Sequence, residues 1–298
     1  MRVAIRALAA LAVLGIVAAF PRPSLAADDA AAETTRVVSI GGALTEIVYA
    51  LGAEDALVAV DSTSFYPEKA RDLPNVGYMR QLSAEPVVAL QPTLVLAIED
   101  SGPPQALEQM RAAGLNLQVI KDDPTPEGVI AKVAAVAQAL GKEAEGEALA
   151  AKLRAEFDAV LKQVAGLPER PSVIFFFSLG SGTPLAGGRD TAPDGIIALA
   201  GGRNAFDAFE GFKPLSPEAA VASAPDVVLV TEQTLKALGG RDKLIARPEI
   251  AATPAGREGR VVAMDALLLL GFGPRTPEAI RTLAEALHPA QRTSATTE

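Results

Sequence analysis

Hydrophobic residues follow two recurring patterns along this chain: short apolar runs typical of buried strands, and longer segments with helical spacing. Near the start, VVSI predicts a strand at 37–40, and ALTEIVYALGA predicts a helix at 43–53 that ends at a glycine. The runs ALVAVD, TLVLAIE and NLQVIK predict further strands, and PPQALEQMRAAG, between the last two, predicts a helix. Strands that alternate with helices indicate a parallel sheet covered on both faces.

The same pattern starts again after residue 171. SVIFFFS, DGIIALAGG, DVVLVT and RVVAMD follow one another, and TPEAIRTLAEALH predicts a closing helix. We therefore predict an α/β protein with two three-layer lobes, at 36–142 and 168–288, each built on a parallel sheet.

One long helical segment, at 143–167, separates the predicted lobes. About 22 residues at a rise of 1.5 Å extend about 33 Å, enough to cross the back of two small lobes. A single helical crossing predicts a stiff clamshell, whereas a flexible two-domain enzyme with a peripheral helix is the alternative. The apolar positions form one stripe, and they are Leu149, Leu153, Phe157, Val160, Leu161 and Val164.

The two lobes also contain a repeated segment. LSAEPVVALQPTLVLA at 82–97 and LSPEAAVASAPDVVLV at 215–230 align without gaps, with eight identities in sixteen positions. Each predicts a serine N-cap, a short helix with an acid in its first turn, and a buried strand after a proline. The repeat places Glu85 and Glu218 at equivalent points, one on each lobe.

Composition and the ends of the chain limit the choice of function. The formal net charge of −9 argues against nucleic acid or an anionic membrane surface as a partner. The basic, then apolar segment 1–26 ends in Ser-Leu-Ala and predicts a cleaved signal peptide, because its apolar run is too short for a membrane anchor. A flexible leader is predicted at 27–35 and a disordered tail at 289–298. The chain has no cysteine, which excludes disulfides and a lipoprotein anchor.

The segment NVGYMRQLSAE, at 75–85, holds the most specific candidate chemistry. It contains Tyr78, one of only three tyrosines in the chain, and Arg80 two positions later. In an extended segment, residues two apart point to the same side, so a phenol and a guanidinium would face one space. A surface tyrosine beside an unrelated arginine is the alternative.

With RVVSIGGALTEIVYALG and DALLLLGFGPRTPEAIRTLAEAL, this segment resembles the periplasmic heme-binding proteins of bacterial hemin ABC importers. The resemblance runs from about 36 to 288, and GYMRQLSAE is its most specific part. It implies a monomeric binding protein without enzymatic activity, which captures heme between its lobes in the periplasm. It also implies delivery of the heme to an ABC permease dimer in the inner membrane.

The resemblance makes Tyr78 the axial ligand of heme iron and gives Arg80 a supporting role. Ferric iron is a hard cation and a phenolate is a hard ligand, so tyrosine ligation of heme is chemically suitable. A guanidinium within ~4–6 Å favours the phenolate, and its hydrogen bond weakens donation to the iron. A weakened ligand suits a carrier that must later release its heme.

Other residues acquire roles only through the resemblance. The glycine-rich segment SLGSGTPLAGGRD, at 178–190, would form the second lobe's side of the cleft, with Arg189 near a heme propionate. It departs from a dinucleotide-binding loop because Leu185 stands where the third glycine belongs. In GFGPRT, at 271–276, Phe272 would pack on the porphyrin. Glu85 and Glu218 would meet arginines of the two permease subunits; the alternative is a helix-dipole role.

His288, the only histidine, ends the last predicted helix. We expect it to be structural, complementing the helix dipole, and not to be a second iron ligand. A zinc or manganese carrier would need more histidines and carboxylates than this composition offers. A ferric-siderophore or cobalamin carrier of the same architecture stays open, because loops alone set the ligand. An envelope hydrolase is the alternative from another class; a Ser-His-Asp set is implausible with this one histidine.

Overall fold

The predicted strand VVSI is β1 of a four-stranded sheet in the computed structural model, which describes residues 35–177 and 183–289. This sheet of the first lobe is fully parallel, in the order β2-β1-β3-β4. Every residue of β1 and β3 is buried, as expected for central strands covered on both faces. The strands are β1 Val37–Ile40, β2 Leu57–Val60, β3 Leu94–Ile98 and β4 Leu117–Ile120.

Four helices surround this sheet, with α1 packed on α4 and α2 packed on α3. Helix α4 has a well-defined start, because the side chain of Thr125 accepts a hydrogen bond from the backbone N–H of Gly128 at 2.9 Å. It ends at Gly141, whose φ of 64° is left-handed and suits glycine. The helices are α1 Gly42–Ala50, α2 Ala84–Ala89, α3 Pro104–Ala112 and α4 Pro126–Leu140.

A single helix, α5 (Glu143–Ala165), leads from the first lobe to the second, as the apolar stripe predicts. The stripe residues Leu153, Phe157 and Val160 are buried, and the helix packs against α4 and against the last helix of the chain. Its 23 residues span about 34 Å. The chain is thus an α/β clamshell of two lobes joined by one long helix.

The sheet of the second lobe is mixed, which corrects the prediction of a purely parallel sheet. Strands β5, β7, β9 and β10 pair in parallel, but β6 runs antiparallel to β5, and β8 runs antiparallel to β6. The strands are β5 Ser172–Phe177, β6 Leu185–Gly187, β7 Arg203–Asn204, β8 Phe212–Pro214, β9 Val227–Thr231 and β10 Val261–Met264.

Apart from the last one, the helices of the second lobe are short, with 4 to 8 residues each. The closing segment TPEAIRTLAEALH forms α13, whose apolar face is buried against α5 and α6. The helices are α6 Ala192–Leu199, α7 Pro217–Ser223, α8 Glu232–Ala237, α9 Arg241–Ile245, α10 Pro248–Ala251, α11 Pro254–Glu258, α12 Ala266–Leu270 and α13 Thr276–Leu287.

The repeated segment has the same local structure in both lobes. Helices α2 and α7 begin at equivalent positions of the alignment, and so do strands β3 and β9. Gln91 and Ala224 are also equivalent, and both have left-handed backbones, with φ of 47° and 43°. The capping differs, because Ser216 accepts a hydrogen bond from the backbone of Ala219 at 3.2 Å, whereas Ser83 makes no capping bond with its side chain.

One large apolar core extends through both lobes. It includes Val95 of the first sheet, Phe157 of the connecting helix, Val173 of the second sheet and Leu283 of α13. A smaller cluster, with Phe176 and other residues of the second lobe alone, lies apart from it.

The two lobes also touch through polar groups that lie between α1, α4 and the segment 271–275. The ammonium group of Lys132 in α4 donates to the carbonyl oxygens of Gly271 at 3.5 Å and Phe272 at 3.2 Å, and it pairs with Asp122. Lys132 is 1% exposed, so these oxygens replace its hydration. The first lobe therefore holds the chain just before α13 in a fixed position.

Some predictions fall outside the described residues. They concern the signal peptide at 1–26, nearly all of the leader, the tail beyond residue 289, and positions 178–182 of the glycine-rich segment. Within residues 35–177 and 183–289, no helix is both long enough and apolar enough to cross a membrane.

Candidate functional site

The carboxyl ends of the strands in the two lobes face each other across a cleft. A Cβ atom added to Gly42, directly after β1, would lie 2.7 Å from Leu267 in α12, which follows β10. A pocket of about 360 Å³ opens at this junction, lined by the loop after β2 and, from the other lobe, by Gln233 at the start of α8. Ligands of open α/β sheets bind outside the carboxyl ends of the strands.

The loop that begins at Asp61 is anchored by a buried carboxylate. Asp61 is 1% exposed and accepts hydrogen bonds from the backbone N–H of Gly41 at 3.0 Å, the hydroxyl of Thr63 at 2.8 Å and the hydroxyl of Ser64 at 3.0 Å. These donors satisfy its oxygens without a cation, so the carboxylate fixes the start of the loop against the beginning of α1.

The same loop positions Tyr78. The carbonyl of Gly77 accepts from the backbone of Ser62 at 2.9 Å, and the N–H of Gly77 donates to the side chain of Asn75 at 2.8 Å. Gly77 has a φ of 103°, which suits glycine and not a residue with a side chain. Ser62 and Asn75 both line the pocket, and Tyr78 follows them in the same loop.

The predicted contact between the phenol and the guanidinium is present. Nη1 of Arg80 donates to the Oη of Tyr78 at 3.3 Å, and Nη2 of Arg80 donates to Asp100, which follows β3, at 2.9 Å. Tyr78 is 40% exposed, so its oxygen can receive a further partner from the cleft. Asp100 was not singled out from the sequence; it lies twenty positions from Arg80 and only the fold brings them together.

The pKa of Arg80 reflects two opposing effects. Burial alone would lower the pKa, but the hydrogen bonds to Tyr78 and Asp100 outweigh burial and raise it above its usual value. The guanidinium therefore stays charged beside the phenol. A guanidinium that donates to the phenol oxygen draws electron density away from it.

Arg189 does not lie at the cleft edge of the second sheet. Leu185 pairs with Phe177 at that edge, and the chain then runs antiparallel to β5, so Arg189 lies about 13 Å further down. Its guanidinium donates to the carbonyl of Asp207 at 2.6 Å and to Glu210 at 3.0 Å. The predicted propionate contact is therefore not supported, because this guanidinium is remote and already paired.

Phe272 is also placed differently from the prediction. It is 2% exposed and belongs to the core that both lobes share. Its ring packs close to Gly195 of α6, where an added Cβ would lie 3.2 Å from the ring. A ring in this position fills the contact between the lobes and has no open face for a ligand.

His288 lies at the opposite edge of the second sheet from the cleft. It lines a pocket of about 590 Å³ with Pro171, Asp226 and Arg260, which precede β5, β9 and β10. His288 is 8% exposed, and its Nε2 has no hydrogen-bond partner. Burial lowers its pKa and so favours the neutral ring, which weakens the predicted interaction with the helix dipole.

Sequence reasoning missed a second tyrosine at the lobe junction. Tyr66, in the loop after β2, is 46% exposed, and the guanidinium of Arg275 lies 3.8 Å from the centre of its ring. Arg275 in turn donates to Glu46 of α1, with an Nε–Oε1 distance of 3.1 Å. The scarcity of tyrosine, and the GFGPRT segment that contains Arg275, are the signals that pointed to this place.

The two repeat acids are both exposed in the first turns of their helices. Glu85 lies in α2 and Glu218 in α7. Each helix leads into a central strand of its sheet, β3 or β9, so the acids occupy equivalent sites on the two lobes.

The sequence matches the family model described as "Periplasmic binding protein" over residues 37–268, which covers most of both lobes. The chain belongs to the periplasmic binding protein family. Solved structures of this family support the two-lobed architecture over nearly their whole length.

The solved structures similar to this chain include two heme-binding proteins. The periplasmic heme-binding protein RhuT from Roseiflexus sp. RS-1, in apo form, is 44% identical with a TM-score of 0.83, covering 86% of this chain and 99% of that one. The periplasmic heme-binding protein BhuT in complex with two hemes is 43% identical with a TM-score of 0.81, covering 86% and 98%.

Curated relatives are more distant. The uncharacterized ABC transporter substrate-binding lipoprotein YvrC of Bacillus subtilis (strain 168) is 27% identical, over 86% of this chain and 81% of its own length. The vitamin B12-binding protein of Vibrio campbellii (strain ATCC BAA-1116) is 28% identical, over 67% of this chain and 72% of its own length. All four relatives are described as binding proteins.

Proposed function

We propose that this periplasmic binding protein captures heme in the cleft between its lobes and delivers it to an ABC transporter of the inner membrane. The single observation that carries the proposal is the contact between Arg80 and the exposed phenol of Tyr78 at the carboxyl edge of the first sheet. The similarity of this chain to the heme-binding proteins RhuT and BhuT, at 44% and 43% identity, supports heme as the ligand. The similarity to YvrC, an ABC transporter substrate-binding lipoprotein, supports a role with an ABC transporter.

Tyr78 is proposed to ligate the heme iron through its phenolate oxygen. The oxygen is accessible, and a hard ligand suits ferric iron. Arg80 keeps its charge and donates to that oxygen, which weakens the bond to iron. A ligand of intermediate strength allows both capture and release.

Docking to the transporter is proposed to use Glu85 and Glu218. A permease dimer offers two equivalent surfaces, and the repeat places one exposed acid on each lobe. Pairs of this kind at the rim of an interface mainly set the rate and register of association. Segment 1–26 is proposed to direct the chain to the periplasm and to be removed there.

Titration of the purified protein with hemin, followed by absorbance, tests the proposal. We expect a Soret band and a ferric high-spin tyrosinate spectrum, with an end point that gives the number of hemes bound. Tyr78→Phe keeps the ring but removes the oxygen, so the tyrosinate spectrum should vanish and the affinity should fall. Tyr49→Phe, on α1, is the matched control and should bind as the unmodified protein does. An unchanged spectrum in Tyr78→Phe would contradict the ligand assignment.

Cobalamin is the second candidate ligand. It is favoured by the relative named vitamin B12-binding protein, although that relative is only 28% identical. Titration with cyanocobalamin distinguishes the two ligands. Tight binding of cyanocobalamin that hemin fails to displace would replace heme in the proposal.

A further inference from the structure

Tyr66 lies in the same loop as Tyr78, at the carboxyl end of β2, but it is held by the other lobe. It is 46% exposed, and one face of its ring is covered by Arg275, whose guanidinium carbon lies 3.8 Å from the ring centre. A guanidinium at this distance makes a close cation–π contact. The rest of the ring remains open to solvent.

Arg275 is itself fixed from the first lobe. Its Nε donates to Glu46 at 3.1 Å, its Nη2 donates to the same oxygen, and Glu46 is 5% exposed. The side chain of Arg275 is 20% exposed, so its charge is largely used within the protein. These contacts hold the guanidinium in one orientation, and the guanidinium holds the ring.

A ring that is fixed before the ligand arrives loses little further freedom on binding. Exposed tyrosines normally sample several rotamers, so a buried ion pair that spans two lobes is an unusual support for one. Tyr66, in the loop after β2, lies next to the start of α13, where the two lobes approach each other. An open aromatic face at this place is suited to a flat aromatic ligand.

We propose that Tyr66 is a stacking contact for the face of the bound porphyrin, held in position by Arg275 and Glu46. This inference rests on the proposed function and adds a ring contact that is independent of iron. Tyr78 acts on the metal, whereas Tyr66 acts on the macrocycle. The affinity for metal-free protoporphyrin IX should therefore depend on Tyr66 and not on the phenolate of Tyr78.

The experiment compares hemin with metal-free protoporphyrin IX as probes. Tyr66→Leu should weaken both about three- to tenfold, the range expected for loss of one aromatic stacking contact. The tyrosinate spectrum of bound hemin should persist in this variant, because Tyr78 is intact. Tyr66→Phe restores the ring and should restore both affinities. The control is Phe212→Leu on β8, which removes a ring that is 48% exposed at another place, and it should change neither affinity.

Several results would overturn the inference. Unchanged affinities in Tyr66→Leu, with or without a lower melting temperature, would mean that the ring only covers Arg275. Failure of Tyr66→Phe to restore binding would assign the effect to the hydroxyl group and not to stacking. An equal loss of affinity in Phe212→Leu would show that the loss in Tyr66→Leu is not specific to the ring of Tyr66. If the unmodified protein bound neither probe, the proposed function would fail together with this inference. If only the assignment of Tyr78 as iron ligand proved wrong, the stacking role of Tyr66 would still stand.

Discussion

The guanidinium of Arg80 donates hydrogen bonds to two acceptors, and single substitutions can test how it divides between them. Its guanidinium donates to Tyr78 at 3.3 Å and to Asp100 at 2.9 Å. The longer bond goes to the phenol, so the carboxylate takes part of the positive charge that would otherwise act on the phenol.

Replacing Arg80 by Ala should leave heme bound but strengthen donation from the phenolate to the iron, because the competing hydrogen bond is lost. The tyrosinate charge-transfer band should shift accordingly in the absorbance spectrum of the hemin complex. Asp100→Asn is the matched variant: it frees the guanidinium for the phenol and should shift the band in the opposite direction. Equal spectra for all three proteins would remove Arg80 from the ligand environment.

His288 gives a prediction about pH. Burial holds the pKa of the native imidazole below its usual value of 6.5. The unfolded chain therefore binds a proton first as the pH falls, so the contribution of His288 to the free energy of unfolding is complete above about pH 6.5 and decreases below it. Urea unfolding at a series of pH values should show this loss in the unmodified protein. His288→Asn should lack that component, and an identical pH dependence in the two proteins would contradict the prediction.

The limits of sequence reasoning are clear at this scale. The contact between Tyr78 and Arg80 was predictable, because two residues in one extended segment share a side. The contact between Glu46 and Arg275 was not, since 229 positions separate them and only the fold brings them together. Phe272 was misplaced for a related reason: an apolar residue in a loop gives no sign of whether it faces a ligand or a neighbouring lobe.

At the scale of elements, periodicity predicted the long and strongly patterned segments well. The seven runs assigned as strands contain β1, β2, β3, β4, β5, β9 and β10. The elements that were not predicted include helix α4, whose alanine-rich sequence has a weak polar face, the short helices α8 to α12, and the three-residue strands β6 and β8. Such short strands are stabilised by their neighbours in the sheet and not by their own sequence.

The left-handed residue of the repeat supports a prediction about stability. Ala224 has a φ of 43° and a ψ of 57°, a conformation that strains a residue with a Cβ atom. Ala224→Gly should therefore raise the free energy of unfolding by about 0.5–1 kcal/mol. Ala222→Gly, two positions earlier in α7, should lower it by about the same amount because glycine weakens a helix. Thermal unfolding measures both, and a loss of stability in Ala224→Gly would contradict the interpretation.

At the scale of the whole molecule, the repeat places one exposed acid on each lobe, and we propose that these two acids meet the two halves of a two-fold transporter. The double variant Glu85→Ala/Glu218→Ala should bind hemin normally but fail to deliver it to the transporter. Transfer to proteoliposomes that contain the permease and its ATPase measures delivery, which should also weaken as salt rises in the unmodified protein. Glu108→Ala/Glu285→Ala removes one exposed acid from each lobe at other places and is the control. Normal delivery with slightly lower stability would show instead that the two acids only support their helices.

The ion pair between Glu46 and Arg275 also determines the order in which contacts between the lobes can form during synthesis. Ribosomes add roughly 5–20 residues per second, so Glu46 waits on the order of ten seconds or more for Arg275 to be made. Lys132 likewise meets the carbonyl groups of Gly271 and Phe272 only near the end of synthesis. If the first lobe folds early, Glu46 therefore lacks its guanidinium partner until the last part of the chain is made. Completion of the last helix is the step that stabilises the half of the protein made first.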